Sequence, residues 1–437
     1  MSLSEPFSTE RLKFRLLQLN DLEAIYRQFS DPDMCKYFSD PPCDREEAKG
    51  IIEHYQSPEG KGHLRYGMFD IITEKFIGTC GYHYLDNDLK QVEIGYDIWK
   101  DYWRKGYISE ALPVLLHICF EELEVECIYI LADPQNKASI KSVSKFGFVE
   151  CKPCRELDVE PQICMKLLRT EWYKETILEK EFTNGLGRIS LKHPMGTFSL
   201  TPASYILIEA ITNNKEILNG IGIDWGTGIG CLAILAAKIE LVDKVYGLDI
   251  SKENIYIAAK NAKDNNVTDK VCFMLADSYS PFNGEEKQEF DKLRGKVNFI
   301  LSNPPSSDWD DGFGFRRIVL EGAREYLVKN GIVLLNISFQ YGMKRVESLH
   351  KSMDGYNYMG VAASTDWVPF DLSRPDLLEC LKIYSGEEVK GGLDYTFLAD
   401  RSSENNFINA QTALDNYNKR GVSPLTQWQT HMFQYIG

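Results

Sequence analysis

Asp224-Trp225-Gly226-Thr227-Gly228-Ile229-Gly230 follows the apolar run Ile221-Gly222-Ile223 and precedes an apolar stretch that begins at Cys231. Glycines at alternate positions between a buried strand and a helix let a ligand approach the backbone closely at the helix N-terminus. Nineteen residues after Gly230, Asp249 ends the next strand, where a carboxylate can bind ribose hydroxyls. A dinucleotide site is the competing reading. It fits poorly, because G-x-G-x-x-G would put its third glycine at Cys231.

Strands expected at 221–224, 244–249, 271–275, 297–301 and 332–337 alternate with helical segments, the mark of a parallel sheet covered on both faces. Asp277 follows the third of them and Asn303-Pro304-Pro305-Ser306 the fourth. Proline has a fixed φ and no N–H, so the segment leaves the strand with carbonyls free to accept hydrogen bonds. An amino group is the natural donor. A plain turn is the alternative for an isolated Asn-Pro-Pro.

Taken together, these pieces resemble the class I S-adenosylmethionine-dependent methyltransferases. The resemblance covers roughly residues 190–340 and is nearest to the protein-glutamine methyltransferases of release factors. It implies a Rossmann-like fold, S-adenosylmethionine as cofactor, and Asp224, Gly226, Gly228, Gly230, Asp249 and Asp277 as its binding residues. Asp249 would hold the ribose and Asp277 the adenine amino group. The Asn303 side-chain oxygen and the Pro304 carbonyl would accept the N–H hydrogens of a substrate nitrogen and aim its lone pair at the methyl group. Ser306 departs from the family, which has a stacking aromatic there; Trp309 or Phe313 could take its place. That departure favours a small-molecule or aliphatic amine over glutamine or a nucleobase. Thr201-Pro202-Ala203 matches, more weakly, the segment that closes over the cofactor.

Upstream, Thr9-Glu10-Arg11-Leu12, Glu93-Ile94-Gly95-Tyr96, Trp103 through Ala111, Asp133 through Ser139 and Lys145-Phe146-Gly147-Phe148 occur in order. As a set they resemble the GNAT N-acetyltransferases over about residues 8–168, especially those that acetylate ribosomal-protein N-termini. The resemblance implies a mixed α+β sheet domain that binds acetyl-CoA, with the pyrophosphate at Arg104, Lys105, Gly106, Tyr107 and Ser109 and the pantetheine arm near Asn136. Arg104 stands where the family has glycine and Ile108 where it has a small residue. Glu93 would take the proton of the attacking amine and Ser139 would protonate the thiolate. A solvent-facing strand position for Glu93, and helix capping for Asn136 and Ser139, are the plainer alternatives. Tyr96 reads as packing.

The α/β chain of 437 residues is long enough for two or three domains, with 43% hydrophobic residues to build cores. The boundaries read as an acetyltransferase-like domain at 1–168, a linker at 169–190 whose charged stretch 171–181 reads as helical before a turn at 184–187, and a methyltransferase domain with a C-terminal extension at 191–437. A net charge of −15, with an acidic excess in both halves, disfavours nucleic acid as substrate. Eleven scattered cysteines read as thiols, and Cys151-Lys152-Pro153-Cys154 has no second pair, so no metal is expected. No apolar run spans a membrane and no signal peptide opens the chain, which points to the cytoplasm. Oligomeric state is left open.

The expectation is therefore a bifunctional N-acetyltransferase and N-methyltransferase acting on amines of a small molecule or peptide. Its rivals are a methyltransferase whose first half is a binding module, and an enzyme that modifies ribosomal or translation proteins. A nucleic-acid amino-methyltransferase ranks below both. In the tail, 393–398 reads as a late strand of the second sheet, 410–419 as a helix and Trp428 as a packing anchor.

Overall fold

The computed structural model describes residues 5–9, 11–38, 41–56, 62–153, 162–194, 200–307, 310–402 and 406–437, without the side chains of 375 and 376. It divides into two units, one built mainly from residues up to Lys174 and the other from Glu175 onward.

The first unit is an eight-stranded sheet in the order Phe7–Ser8, Leu12–Leu16, Leu64–Asp70, Phe76–Asp86, Gln91–Ile98, Cys127–Ala132, Ile163–Leu168, Val149–Cys151. Neighbours are antiparallel except Gln91–Ile98 and Cys127–Ala132. That parallel pair is bonded from Gln91↔Cys127 to Glu93↔Tyr129 and goes no further, although both strands continue. The sheet therefore splits past Glu93. The helix Tyr107–His117 buries Ala111, Leu112, Val114, Leu115 and Leu116 in the core of this unit. Burial of each such leucine contributes roughly 1.5–3 kcal/mol.

The second unit has an eight-stranded sheet in the order Ser280–Pro281, Val271–Asp277, Val242–Asp249, Gly220–Trp225, Val297–Ser302, Leu327–Asn336, Gln429–Tyr435, Tyr356–Ser364. Five strands from Val271–Asp277 to Leu327–Asn336 run parallel, and Gln429–Tyr435 runs against them. Strand order reverses between Gly220–Trp225 and Val297–Ser302, whose last residues, Trp225 and Ser302, lie opposite each other. Ligands of open α/β sheets bind outside the carboxyl ends of the strands at such a reversal.

Two expectations are corrected. Residues 171–181 are not one helix: a short helix, Arg169–Trp172, gives way to the strand Tyr173–Leu178, which pairs with Ile189–Pro194. Within 393–398 only Phe397–Leu398 is strand. It belongs to a separate four-stranded sheet with Val368–Pro369, Phe407–Ile408 and Leu425–Thr426, and not to the large one. The final strand of the large sheet is Gln429–Tyr435, reached after the helix Ala410–Arg420 and after Trp428, which stacks on Phe370. Tyr356–Ser364 runs antiparallel to Gln429–Tyr435 and so parallel to Leu327–Asn336. The segment inserted between residues 364 and 429 consequently leaves and re-enters at the carboxyl edge, the edge that also carries the strand reversal.

Candidate functional site

At the reversal in the second unit, Gly226, Gly228 and Gly230 adopt φ of +72°, +55° and +86°. A Cβ at Gly226 or Gly228 would project into open space, whereas one at Gly230 would meet Ala258 and Phe273 at 3.0 Å. The first two glycines expose backbone, and the third lets the helix Cys231–Ala237 pack. Asp224 is fully buried and accepts from the Thr227 hydroxyl at 2.6 Å and the Ala233 amide at 3.0 Å, both on Oδ2. Its Oδ1 is buried without a partner, and burial pushes the carboxyl up to about 7 against those two hydrogen bonds. An orphaned carboxylate oxygen beneath an open glycine loop fits a ligand that carries positive charge, as S-adenosylmethionine does.

Asp249 is tied to the same loop. Its Oδ2 accepts from the Gly228 amide at 2.8 Å and its Oδ1 from the Ser251 amide at 2.9 Å and Asn254 Nδ2 at 3.1 Å. These donors fix the carboxylate and leave lone pairs for hydroxyls. Ile250, next in the chain, is 69% exposed at the strand end, an apolar face the sequence reading passed over. Asp277 is also exposed, and Ser278 beside it accepts from Trp225 Nε1 at 3.0 Å.

Asn303 leaves the strand directly after Ser302. Its Oδ1 accepts from Asn336 Nδ2 at 3.0 Å, and the same amide group reaches the Ala203 carbonyl at 2.5 Å. Asn336 is held in turn by the Thr430 hydroxyl, so one buried asparagine from a neighbouring strand orients the motif. Arg316 is buried and donates to the carbonyls of Pro305 at 3.2 Å, Gly312 at 3.1 Å and Asn336 at 3.1 Å. This ties the prolines to the following helix, Gly314–Tyr326. Ser306 is exposed. Phe313 cannot supply the missing ring: it is fully buried, with its ring 5.3 Å from that of Tyr341. Trp309 lies outside the described residues.

In the first unit a cavity of about 890 Å³ opens where the sheet splits, between Ile94–Asp97 on one side and Ile130–Asp133 on the other. Glu93, Asn136 and Ser139 all line it. Asn136 caps the helix Lys137–Ser144 by accepting from the Ser139 amide at 3.1 Å, so the capping reading holds for its side chain. Tyr96 also lines the cavity, with its hydroxyl 3.1 Å from Ser139 Oγ; burial pushes that phenol up to about 12 and keeps it protonated. Glu93 is not solvent-facing, at 8% exposure, and its Oε1 lies 3.0 Å from His83 Nε2. His83 had no signal in the sequence.

Arg104, Lys105, Gly106, Tyr107 and Ser109 form the entry to the helix Tyr107–His117. Gly106 is its N-cap at φ +81°, and no side chain caps that end. Arg104 is left-handed too, at φ +60°, which explains why a glycine would suit the position. Arg11 pins the turn: Nη1 donates to the Lys105 carbonyl at 3.0 Å and Nε to Glu110 at 2.7 Å. An uncapped helix terminus suits a phosphate, and the cavity at the split in the sheet suits an extended arm; acetyl-CoA offers both.

The GNAT acetyltransferase domain family matches residues 11–149. An uncharacterized N-acetyltransferase, p20, of Bacillus licheniformis is 33% identical over 147 residues, 33% of this chain and 82% of the relative. The chain belongs to the GNAT acetyltransferases. The methyltransferase small domain family matches residues 188–361. A release factor glutamine methyltransferase of Thermodesulfovibrio yellowstonii is 26% identical over 188 residues, 40% of this chain and 66% of the relative. The chain thus spans just under two thirds of that relative's length. A solved GNAT acetyltransferase from Bacillus anthracis is 24% identical over 38% of this chain and all of its own, with a TM-score of 0.33. GNAT domains use acetyl-CoA and methyltransferase domains use S-adenosylmethionine. No helix among the described residues is long and apolar enough to cross a membrane.

Proposed function

We propose that this GNAT–methyltransferase chain is a bifunctional transferase whose two halves each modify an amine of a small molecule or peptide. In the second unit, bound S-adenosylmethionine supplies an electrophilic methyl group. Gly226, Gly228 and Asp249 hold it, and Asp277 reads the adenine edge. The Asn303 oxygen keeps one lone pair for Asn336 and offers the other, with the Pro304 carbonyl, to the hydrogens of the acceptor nitrogen. Those acceptors orient the nitrogen and stabilise positive charge as it develops on it. The single observation that carries this reading is that the glycine loop and Asn303 leave adjacent strand ends at the reversal.

In the first unit, bound acetyl-CoA supplies an acyl thioester. Residues 104–109 offer amides at an uncapped helix terminus, and Asn136 lies along the cavity. Glu93 removes the acceptor's proton, while Ser139 Oγ with Tyr96 Oη keeps a hydroxyl proton on the same wall. The cysteines described are free thiols, which supports the cytoplasm as the setting. Ser306, together with the burial of Phe313, supports an acceptor that needs no stacking ring. The inserted segment 365–428 shapes the acceptor side: Arg345 ties it to the loop that follows Ser306 in the chain, donating to the carbonyls of both Asp311 and Asp394.

The test is an intact-mass screen of cell-extract metabolites and peptides incubated with the full chain and each donor separately. Products heavier by one methyl and by one acetyl group are expected. Asn303→Ala should cost the methylation roughly 100- to 1,000-fold, leaving acetylation intact. Methyl products alone would favour a GNAT-like binding module, for which the non-glycine Arg104 at φ +60° is the motive. Labelling confined to ribosomal or release-factor fractions would favour the translation reading.

A further inference from the structure

His83 stands opposite Glu93 on adjacent antiparallel strands, so both side chains leave the same face of the sheet. Its Nε2 is 3.0 Å from Glu93 Oε1, and both residues line the 890 Å³ cavity. The two are unequally exposed: Glu93 is 8% accessible, and the His83 side chain 26%. Gly95 makes room for the ring, since a Cβ there would lie 3.3 Å from His83 Cε1.

The neighbouring charges are already engaged. Asp97 is taken by Arg65, by Gln28 and by Thr79, whose amide donates at 3.1 Å. His54 and His63 stack on each other with ring centres 4.1 Å apart, and Tyr84 meets the His83 ring edge-on at 5.2 Å. Asp133 lines the opposite wall. A carboxylate is by itself a weak base toward an ammonium, and an imidazole is better matched to the task near neutral pH.

We propose that Glu93 and His83 form a proton relay serving the acetyl-transfer site. Glu93 accepts the proton from the acceptor nitrogen and passes it across the 3.0 Å contact to His83 Nε2, and the more exposed imidazole releases it to water. One N–H bond of the acceptor breaks, an O–H bond forms and breaks on Glu93, and an N–H bond forms on His83. The nitrogen keeps its lone pair for attack, and nothing is oxidised or reduced. The relay rests on the acetyltransferase reading.

Two arms test it. In the first, long-range proton–nitrogen NMR on the histidine-labelled full chain compares wild type with Glu93→Gln and Gly95→Ala. The His83 Nε2 resonance should move in both variants while those of His54 and His63 stay; an unmoved Nε2 overturns the relay. In the second, thiol release from acetyl-CoA is followed with alaninamide and spermidine as α-amine and polyamine probes. His83→Ala should lower kcat roughly 10- to 100-fold with KM for acetyl-CoA unchanged, and added imidazole should restore part of the rate. Full activity in His83→Ala, or a loss that imidazole does not rescue, sinks the relay and leaves the acetyltransferase reading standing. If neither amine is acetylated although acetyl-CoA binds, the NMR arm decides. Failure of acetyl-CoA to bind the wild type counts against the acetyltransferase reading itself.

Discussion

Residues 103–107 and 225–231 both enter a helix through left-handed backbone, but they differ in what occupies it. The later loop has glycine at each of its three positive-φ positions, 226, 228 and 230. The earlier loop has Arg104 at φ +60° and Gly106 at φ +81°. A non-glycine residue in this region costs about 1–2 kcal/mol, so the earlier loop carries strain that the later one avoids. The exposed guanidinium held there can meet an anionic ligand, whereas the bare glycines need only room for one. The comparison separates a charge-assisted phosphate turn from a close-approach cradle.

Gly230→Ala should break the second loop most severely. It adds left-handed strain to a Cβ collision with Ala258 and Phe273, for a loss of roughly 2–5 kcal/mol. Thermal melts should show the second unit unfolding early while acetyl-CoA still shifts the first. Next comes the buried carboxyl beneath that loop. Asp224 titrates near 7 in the folded state and near 4 when unfolded, so the native state holds the extra proton between those values. Stability therefore falls as pH rises from 4 to 7, by on the order of 3 kcal/mol more in wild type than in Asp224→Asn. Urea unfolding at several pH values measures that difference, and parallel curves would show that Asp224 ionises normally. The smallest effect belongs to Arg104→Gly. Relief of φ strain should stabilise the first unit by about 0.5–1 kcal/mol, while acetyl-CoA binding weakens and loses salt dependence. Unchanged binding would make Arg104 a bystander.

How legible the molecule was follows the distance over which its parts are assembled. The glycine loop, Asn303-Pro304-Pro305 and the turn at Gly106 are local: each states its geometry within a few residues, and each appears at a strand or helix end as expected. The residues that orient them are not local. Asn336 reaches Asn303 because two parallel strands are neighbours, His83 reaches Glu93 through hairpin register, and Arg316 finds three carbonyls through the packing of one helix. Phe313 illustrates the opposite error: an aromatic near the motif in sequence is turned wholly into the core. The inserted segment 365–428 carries weak alternation and short strands, so its separate sheet was not readable from periodicity.

The central claim, two donor sites in one chain, is tested most directly by calorimetric titration of the full-length protein with acetyl-CoA and with S-adenosylmethionine. The account predicts one site for each donor, with the S-adenosylmethionine heat abolished by Gly228→Val and the acetyl-CoA heat retained in that variant. A chain that binds one donor only, or whose acetyl-CoA heat vanishes with Gly228→Val, would contradict it.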